Sequence, residues 1–267
     1  MAQNIRNAQA GGRLERIDVD LGARVMASFT TRNGGCSPAP WESLNLGLNV
    51  GDDPVLVRRN RSWVETTFDA PIAFATQVHG ADVLMLGEAE RAAWRAPGAP
   101  ETAGTADALV ATTEYLGLGV LVADCVPVLL ADESAGVIAV AHAGREGVRR
   151  GVIWRTVEKM LTAGAALTNL RAAVGPAICG SCYEVPQEMQ DELAAIVPEA
   201  ASTTRIGTPA LDLPKAALVQ LAAAGVIDVE YVAGCTFSDP DFFSHRRATA
   251  EGTTTGRQAG IIVFGDN

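Results

Sequence analysis

Three histidines occur in the 267 residues, His79, His142 and His245, so any imidazole-based chemistry can be enumerated completely. Five cysteines accompany them, at positions 36, 125, 179, 182 and 235, whereas lysine is confined to Lys159 and Lys215. The cysteines are odd in number and scattered, and residues 1–12 are polar, without the apolar stretch of an export signal. Reduced thiols are therefore expected, acting as small hydrophobes, ligands or nucleophiles rather than as disulfide partners.

Cys125 and His142 flank two apolar runs, residues 126–131 and 137–141, which bracket the sequence Asp132-Glu133-Ser134-Ala135. If the runs pair as an antiparallel hairpin about that loop, residue 131 meets 136, 129 meets 138, 127 meets 140, and Cys125 meets His142. All of these share one face, because the side-chain period of a strand is two. Opposed side chains stand about 4.5–5.5 Å apart at Cβ, close enough for a thiolate and an imidazole to share a metal ion. A slip of one residue would turn one of them away. His79 follows the strand-like run 72–78 and supplies a third ligand. Two imidazoles and a thiolate match catalytic zinc, which keeps its fourth position open, and Asp124 is the expected acceptor that orients a ligand. The same pair also reads, without metal, as a cysteine nucleophile with a histidine base.

Other signals are weaker. Cys179 and Cys182 form a C-x-x-C without a second pair, and read as structural. The zinc-deaminase signature fails, since no histidine is followed two residues later by glutamate and Ile178 stands where its proline would be. No HExxH, GxSxG, P-loop or GxGxxG is present. Arg32, Arg246, Arg247 and Arg257 lie beside Gly- or Ser-containing turns, where a guanidinium can clamp an anion.

The elements that must position these groups follow from patterning. Strands are expected at 24–31, 72–78, 119–124, 126–131, 137–141, 170–174, 227–232 and 258–264, and helices at 53–68, 148–163, 185–196 and 214–224. Residues 87–104, rich in Ala, Pro and Gly, read as a surface excursion with a helical turn at 89–95. Hairpins and crossovers interleave, which predicts an α/β (α+β) single domain with mixed β-sheets flanked by helices. A flexible lead-in is expected over 1–22, ahead of one catalytic domain at 23–267. The chain carries 21 basic and 31 acidic residues, a net charge of −10, with 48% hydrophobic residues. That balance argues against a nucleic-acid binder, and no apolar run approaches the roughly 20 residues of a membrane span. A cytoplasmic, monomeric protein is the expectation.

In chain order the sequence also carries TTRNGGCS (30–37), SLNLGLNVGDDPVLVRRNR (43–61), QVHGADV (77–83), ADALV (106–110), ADCVPVLL (123–130), VIAVAHAG (137–144), GPAICGSCYEV (175–185), CTFSDPDFFSHRR (235–247) and TGR (255–257). This set resembles the purine nucleoside phosphorylase family once labelled multicopper polyphenol oxidase or laccase-like, some members of which are called peptidoglycan editing factors. The likeness covers roughly residues 24–265. It implies a two-sheet mixed α/β fold and a metal held by His79, Cys125 and His142. Zinc is the expected ion, with copper the alternative. The implied activities are phosphorolysis of adenosine, inosine and methylthioadenosine, and deamination of adenosine. Arg257, Arg32, Asn45 and Gln77 are the expected substrate contacts, for phosphate and nucleoside. Alternatives are a copper-dependent polyphenol oxidase and a Cys–His hydrolase editing peptidoglycan precursors, although three histidines cannot furnish a multicopper cluster. One departure stands out: where family members commonly read AHAGWRG, this chain reads AHAGREG, with Arg145 and Glu146.

Overall fold

The computed structural model describes residues 14–265. In chain order the strands and helices begin with β1 (Arg16–Val19), β2 (Val25–Thr30), α1 (Pro54–Phe68), β3 (Ile72–Phe74), β4 (Val83–Leu86), α2 (Glu88–Arg95) and β5 (Ala108–Ala111). Next come β6 (Gly117–Val122), β7 (Val126–Asp132), β8 (Val137–Ala143), α3 (Arg145–Arg149), α4 (Val152–Thr162), β9 (Arg171–Val174) and α5 (Gln187–Ala194). The chain closes with β10 (Ala201–Thr203), β11 (Pro209–Leu211), α6 (Leu213–Ala223), β12 (Asp228–Tyr231), α7 (His245–Ala250) and β13 (Gln258–Phe264).

Two mixed sheets stack face to face. One has the order β1-β2-β13-β6-β3 and the other β12-β9-β7-β8-β5-β4, while β10 and β11 pair separately. Residue parity explains the layers. Along β7 and β8, Val128, Leu130, Ala139 and Ala141 face Ile153, Val157 and Met160 of α4 and Leu221 of α6. Their alternates Leu129, Ala131, Ile138 and Val140 face the other sheet, against Phe29, Leu118, Val120 and Ile262. The outer side of that second sheet packs Ile261 and Val263 against Val64 and Phe68 of α1. Each fully buried Val, Leu, Ile, Phe or Met side chain among these contributes about 1.5–3 kcal/mol of transfer free energy. The single domain of mixed sheets flanked by helices expected from patterning is therefore present.

Local chemistry sets several boundaries. Helix α1 starts where the Asp53 carboxylate accepts from the Val55 N–H at 2.8 Å, with Pro54 as its first residue. The helix expected over 148–163 is instead two, α3 and α4, because Gly151 takes φ +75° and breaks the run. The strand expected at 72–78 ends at Phe74. The lead-in expectation also needs correction, since Arg16–Val19 pairs with β2; residues 1–13 lie outside the described ones. Strands β4 and β5, absent from the pattern reading, extend the six-stranded sheet at its edge.

The hairpin register differs from expectation by two residues. Asp132 pairs with Val137 and Pro127 with His142, so the turn is residues 133–136. One step beyond Val126↔Ala143, Cys125 lies level with Gly144 rather than His142. A slip of two preserves the face, so both ligands still point between the sheets.

Candidate active site and metal centre

Two of the three expected ligands sit where the chain crosses from one sheet to the other. His79 lies between β3 and β4, and Cys125 between β6 and β7, each link joining strands of different sheets. His142 closes the set from the end of β8. Residues 79 and 124 both adopt left-handed backbone, φ +57° and +90°, which non-glycine residues take at a cost of order 1–3 kcal/mol and hold only when their surroundings fix them. The ligating atoms of His79, Cys125 and His142 all lie within 4.8 Å of one another. The two imidazoles meet edge-on, their centroids 4.8 Å apart.

Asp107, almost wholly buried just before β5, is the group that assembles the centre. Its carboxylate accepts the backbone N–H groups of Val78 (3.2 Å), His79 (2.9 Å) and Gly80 (2.6 Å), which fixes the left-handed turn. The same carboxylate lies 2.8 Å from Nδ1 of His142. That contact occupies Nδ1 and leaves Nε2 for a metal. Asp124, expected in this role, instead accepts from the Thr236 hydroxyl (2.6 Å) and the Arg246 N–H (2.6 Å), tying two surface loops to the crossover. Asp107 was legible only as an acidic residue preceding an apolar run; its partners are 27 to 35 positions away.

The electrostatics suit a cation. Burial alone would raise the Cys125 thiol, but the charge of His142 and hydrogen bonds from His142 and His79 outweigh it and lower the thiol to about 6. Burial likewise opposes protonation of His142, yet the Cys125 thiolate and the Asp107 carboxylate raise it to about 9. Without metal the pair is a thiolate–imidazolium couple, and a divalent ion replaces the imidazolium proton. Gly144 leaves the necessary room: a Cβ there would stand 3.0 Å from Cys125 Sγ and 3.1 Å from Cδ2 of His79. Donor set, spacing and fixed tautomer together fit a three-ligand metal site.

The trio opens onto a cleft of about 870 Å³ whose lining includes Arg61, Gln77, Arg145, Tyr183, His245, Arg246 and Arg257. Four guanidiniums, those of Arg61, Arg145, Arg246 and Arg257, line this cleft together with the carboxylates of Glu101, Asp124 and Glu146. Burial lowers Arg257, while the charges of Cys125 and Asp124 act the other way. Arg61 stacks on Phe74 at 4.3 Å and donates to the Leu46 carbonyl at 2.9 Å. Burial and the neighbouring Cys125 thiolate raise the Tyr183 phenol, which stays protonated.

The four expected substrate contacts are placed differently from one another. Arg257 lines the cleft. Gln77 lines it too, but both ends of its amide are bonded to the Leu121 backbone at 2.8 Å, so it continues the sheet edge beyond β3. Asn45 is fully buried outside the lining and accepts the Arg257 N–H at 2.9 Å, which positions the arginine's loop. Arg32 also lies outside the lining; it stacks on Phe243 at 4.8 Å and donates to the Glu42 carbonyl. Arg61, within helix α1, adjoins no turn signal and is not expected here from the sequence, and Arg145 stands out there only as a departure from the AHAGWRG pattern.

A family model described as multi-copper polyphenol oxidoreductase laccase matches residues 26–265. The chain belongs to this family. Curated relatives include the purine nucleoside phosphorylase ORF3 of Streptomyces griseus, 44% identical over 88% of this chain and 92% of that one. A purine nucleoside phosphorylase of Mycobacterium tuberculosis is 39% identical, over 91% of this chain and 93% of its own. Among solved structures, YlmD from Geobacillus stearothermophilus superposes with a TM-score of 0.85 at 33% identity, covering 98% of this chain and all of that one (100%). The chain's three histidines are too few for a multicopper cluster. No helix among the described residues is long and apolar enough to cross a membrane.

Proposed function

We propose that this chain is a zinc-dependent purine nucleoside phosphorylase acting on adenosine, inosine and methylthioadenosine, with adenosine deamination as a second activity of the same centre. The observation that carries the reading is a three-ligand site that opens into an arginine-bearing cleft with room for a nucleoside and phosphate. The names of the curated relatives support the phosphorolytic assignment. His79, Cys125 and His142 would hold the ion, which when bound supplies Lewis acidity at the cleft floor.

The chain's own groups account for the rest. Arg257, with Arg61, Arg145 and Arg246 around it, attracts phosphate and offsets its charge. Phosphate oxygen bonds to the ribose anomeric carbon as the glycosidic C–N bond breaks, and the purine leaves with that electron pair and takes up a proton. Tyr183, protonated on the cleft wall, is a donor available to the departing base. Where the family commonly reads Trp-Arg this chain reads Arg145-Glu146, both on the cleft lining, so one guanidinium is gained, another is lost and a carboxylate is added.

The test is product analysis. Each nucleoside is incubated with the zinc-loaded protein, with and without phosphate. Phosphorolysis predicts free base and ribose 1-phosphate in equal amounts, only when phosphate is present. Free ribose, or base release indifferent to phosphate, rejects it; ammonium release from adenosine reports the second activity. The family model's description points to phenol oxidation and the Cys125–His142 couple to a metal-free hydrolase, whereas the three-ligand spacing and the relatives' names support phosphorolysis.

A further inference from the structure

Away from the cleft centre, a second cluster of thiols is assembled by chain segments far apart in sequence. Cys179 and Cys182 form a tight turn, in which the Cys182 and Tyr183 N–H groups donate to the Cys179 carbonyl at 2.9 and 3.0 Å. An isolated parallel bridge between Ala177 and Cys235 brings in the third thiol. The Cys179 N–H points at the Cys235 sulfur, 3.4 Å away. The three sulfurs all lie within 4.8 Å of one another, and each cysteine is half-buried and reduced.

We infer that Cys179, Cys182 and Cys235 form a second metal site, which takes a thiophilic cation such as Zn²⁺ through three thiolates. In tetrahedral zinc–thiolate geometry, with bonds of about 2.3 Å, the sulfurs stand about 3.8 Å apart, so small side-chain rotations suffice to close this set. A C-x-x-C turn with an N–H directed at a ligand sulfur is how such a site is built from loops. The Ser181 hydroxyl lies beside the set, 3.3 Å from Cys179 Sγ. The C-x-x-C is therefore not an isolated pair; its missing partner is supplied 53 positions further along the sequence from Cys182.

The site's place in the fold gives it a role. Ile178 and Tyr183, on either side of the turn, line the cleft, and Thr236, next to Cys235, donates to Asp124 beside Cys125. A cation here staples the two loops that form this wall and steadies Tyr183. It supplies no ligand to the His79–Cys125–His142 centre.

Full-length protein, reduced and stripped with chelator, is titrated with Zn²⁺ while bound metal and reactive thiols are counted. The wild type is expected to take two equivalents and to leave Cys36 as its one readily reactive thiol of five. Cys125→Ser is expected to keep one equivalent, and Cys182→Ser or Cys235→Ser to keep the other. With Co²⁺, the thiolate charge-transfer band of Cys125→Ser protein should report a three-sulfur environment. The wild-type thiol count reads the site even if a variant fails to fold. One equivalent in the wild type, with Cys179, Cys182 and Cys235 still reactive, overturns the proposal. So does a second equivalent that survives in the Cys182→Ser/Cys235→Ser double variant. Failure to bind a second equivalent, with Cys179 or Cys182 found joined to Cys235, assigns the geometry to a disulfide and overturns it as well.

Discussion

The two thiol-containing clusters are built from the same element types by opposite means. The His79–Cys125–His142 centre hangs on strand ends and on crossovers between sheets, locked by a buried carboxylate that accepts from three consecutive backbone N–H groups and holds an imidazole. The Cys179–Cys182–Cys235 cluster rests on a turn and one isolated bridge. Geometry fixed before a ligand arrives suits catalysis, where ligands must not follow the ion; geometry completed by the ion suits a staple. The difference teaches that ligand type alone does not decide what a cluster does, whereas the rigidity of what stands behind the ligands does.

The contrast breaks most readily at Asp107. Asp107→Ala leaves buried N–H groups and an imidazolium without an acceptor, and is expected to lower unfolding free energy by roughly 3–5 kcal/mol in denaturant titrations. Asp107→Asn, milder for the fold, should weaken zinc binding by about 10–100-fold, because the His142 tautomer is no longer enforced. If Asp107→Asn binds zinc as the wild type does, the centre is not held from behind as argued.

Gly144→Ala sharpens the comparison within the first centre. The added methyl crowds both Cys125 and His79, so zinc affinity should fall about tenfold while the melting temperature barely changes. Equal affinity would mean that the ligands can give way, contrary to a pre-set geometry.

Protons provide a finer test. In metal-free protein at pH 7, Cys125, lowered to about 6, is mostly thiolate, and His142, raised to about 9, is mostly imidazolium. Zinc binding then expels about one proton, from the imidazole. The number should rise towards two as pH falls below the thiol's value and vanish above that of the imidazole, and affinity should climb across the same interval. Calorimetry in buffers of different ionisation enthalpy measures it. The smallest effect is expected at the other cluster: Cys235→Ser in metal-free protein should change stability by about 1 kcal/mol or less, because half-exposed thiols on turns contribute little packing.

Parts of this arrangement were legible in the chain and parts were not. Strand β13 was read at its observed bounds, since a continuous apolar run between polar segments admits few alternatives. The hairpin face was right although its register was not: alternation specifies the face, whereas Gly136 at φ +66° sets where the turn closes, and no period encodes that. Asp107, Arg61 and the Cys235 partnership escaped because each acts through contacts across the sequence. The short strands β10 and β11 escaped because three residues carry no period.

The central claim is that three side chains hold one metal ion and that nucleoside cleavage happens at its open face. Inosine cleavage measured at graded zinc occupancy tests it most directly, with Cys125→Ser assayed beside the wild type. The account predicts hypoxanthine and ribose 1-phosphate appearing together, in proportion to bound zinc, and no turnover from Cys125→Ser. Turnover that survives both complete zinc removal and the loss of that thiol would contradict it.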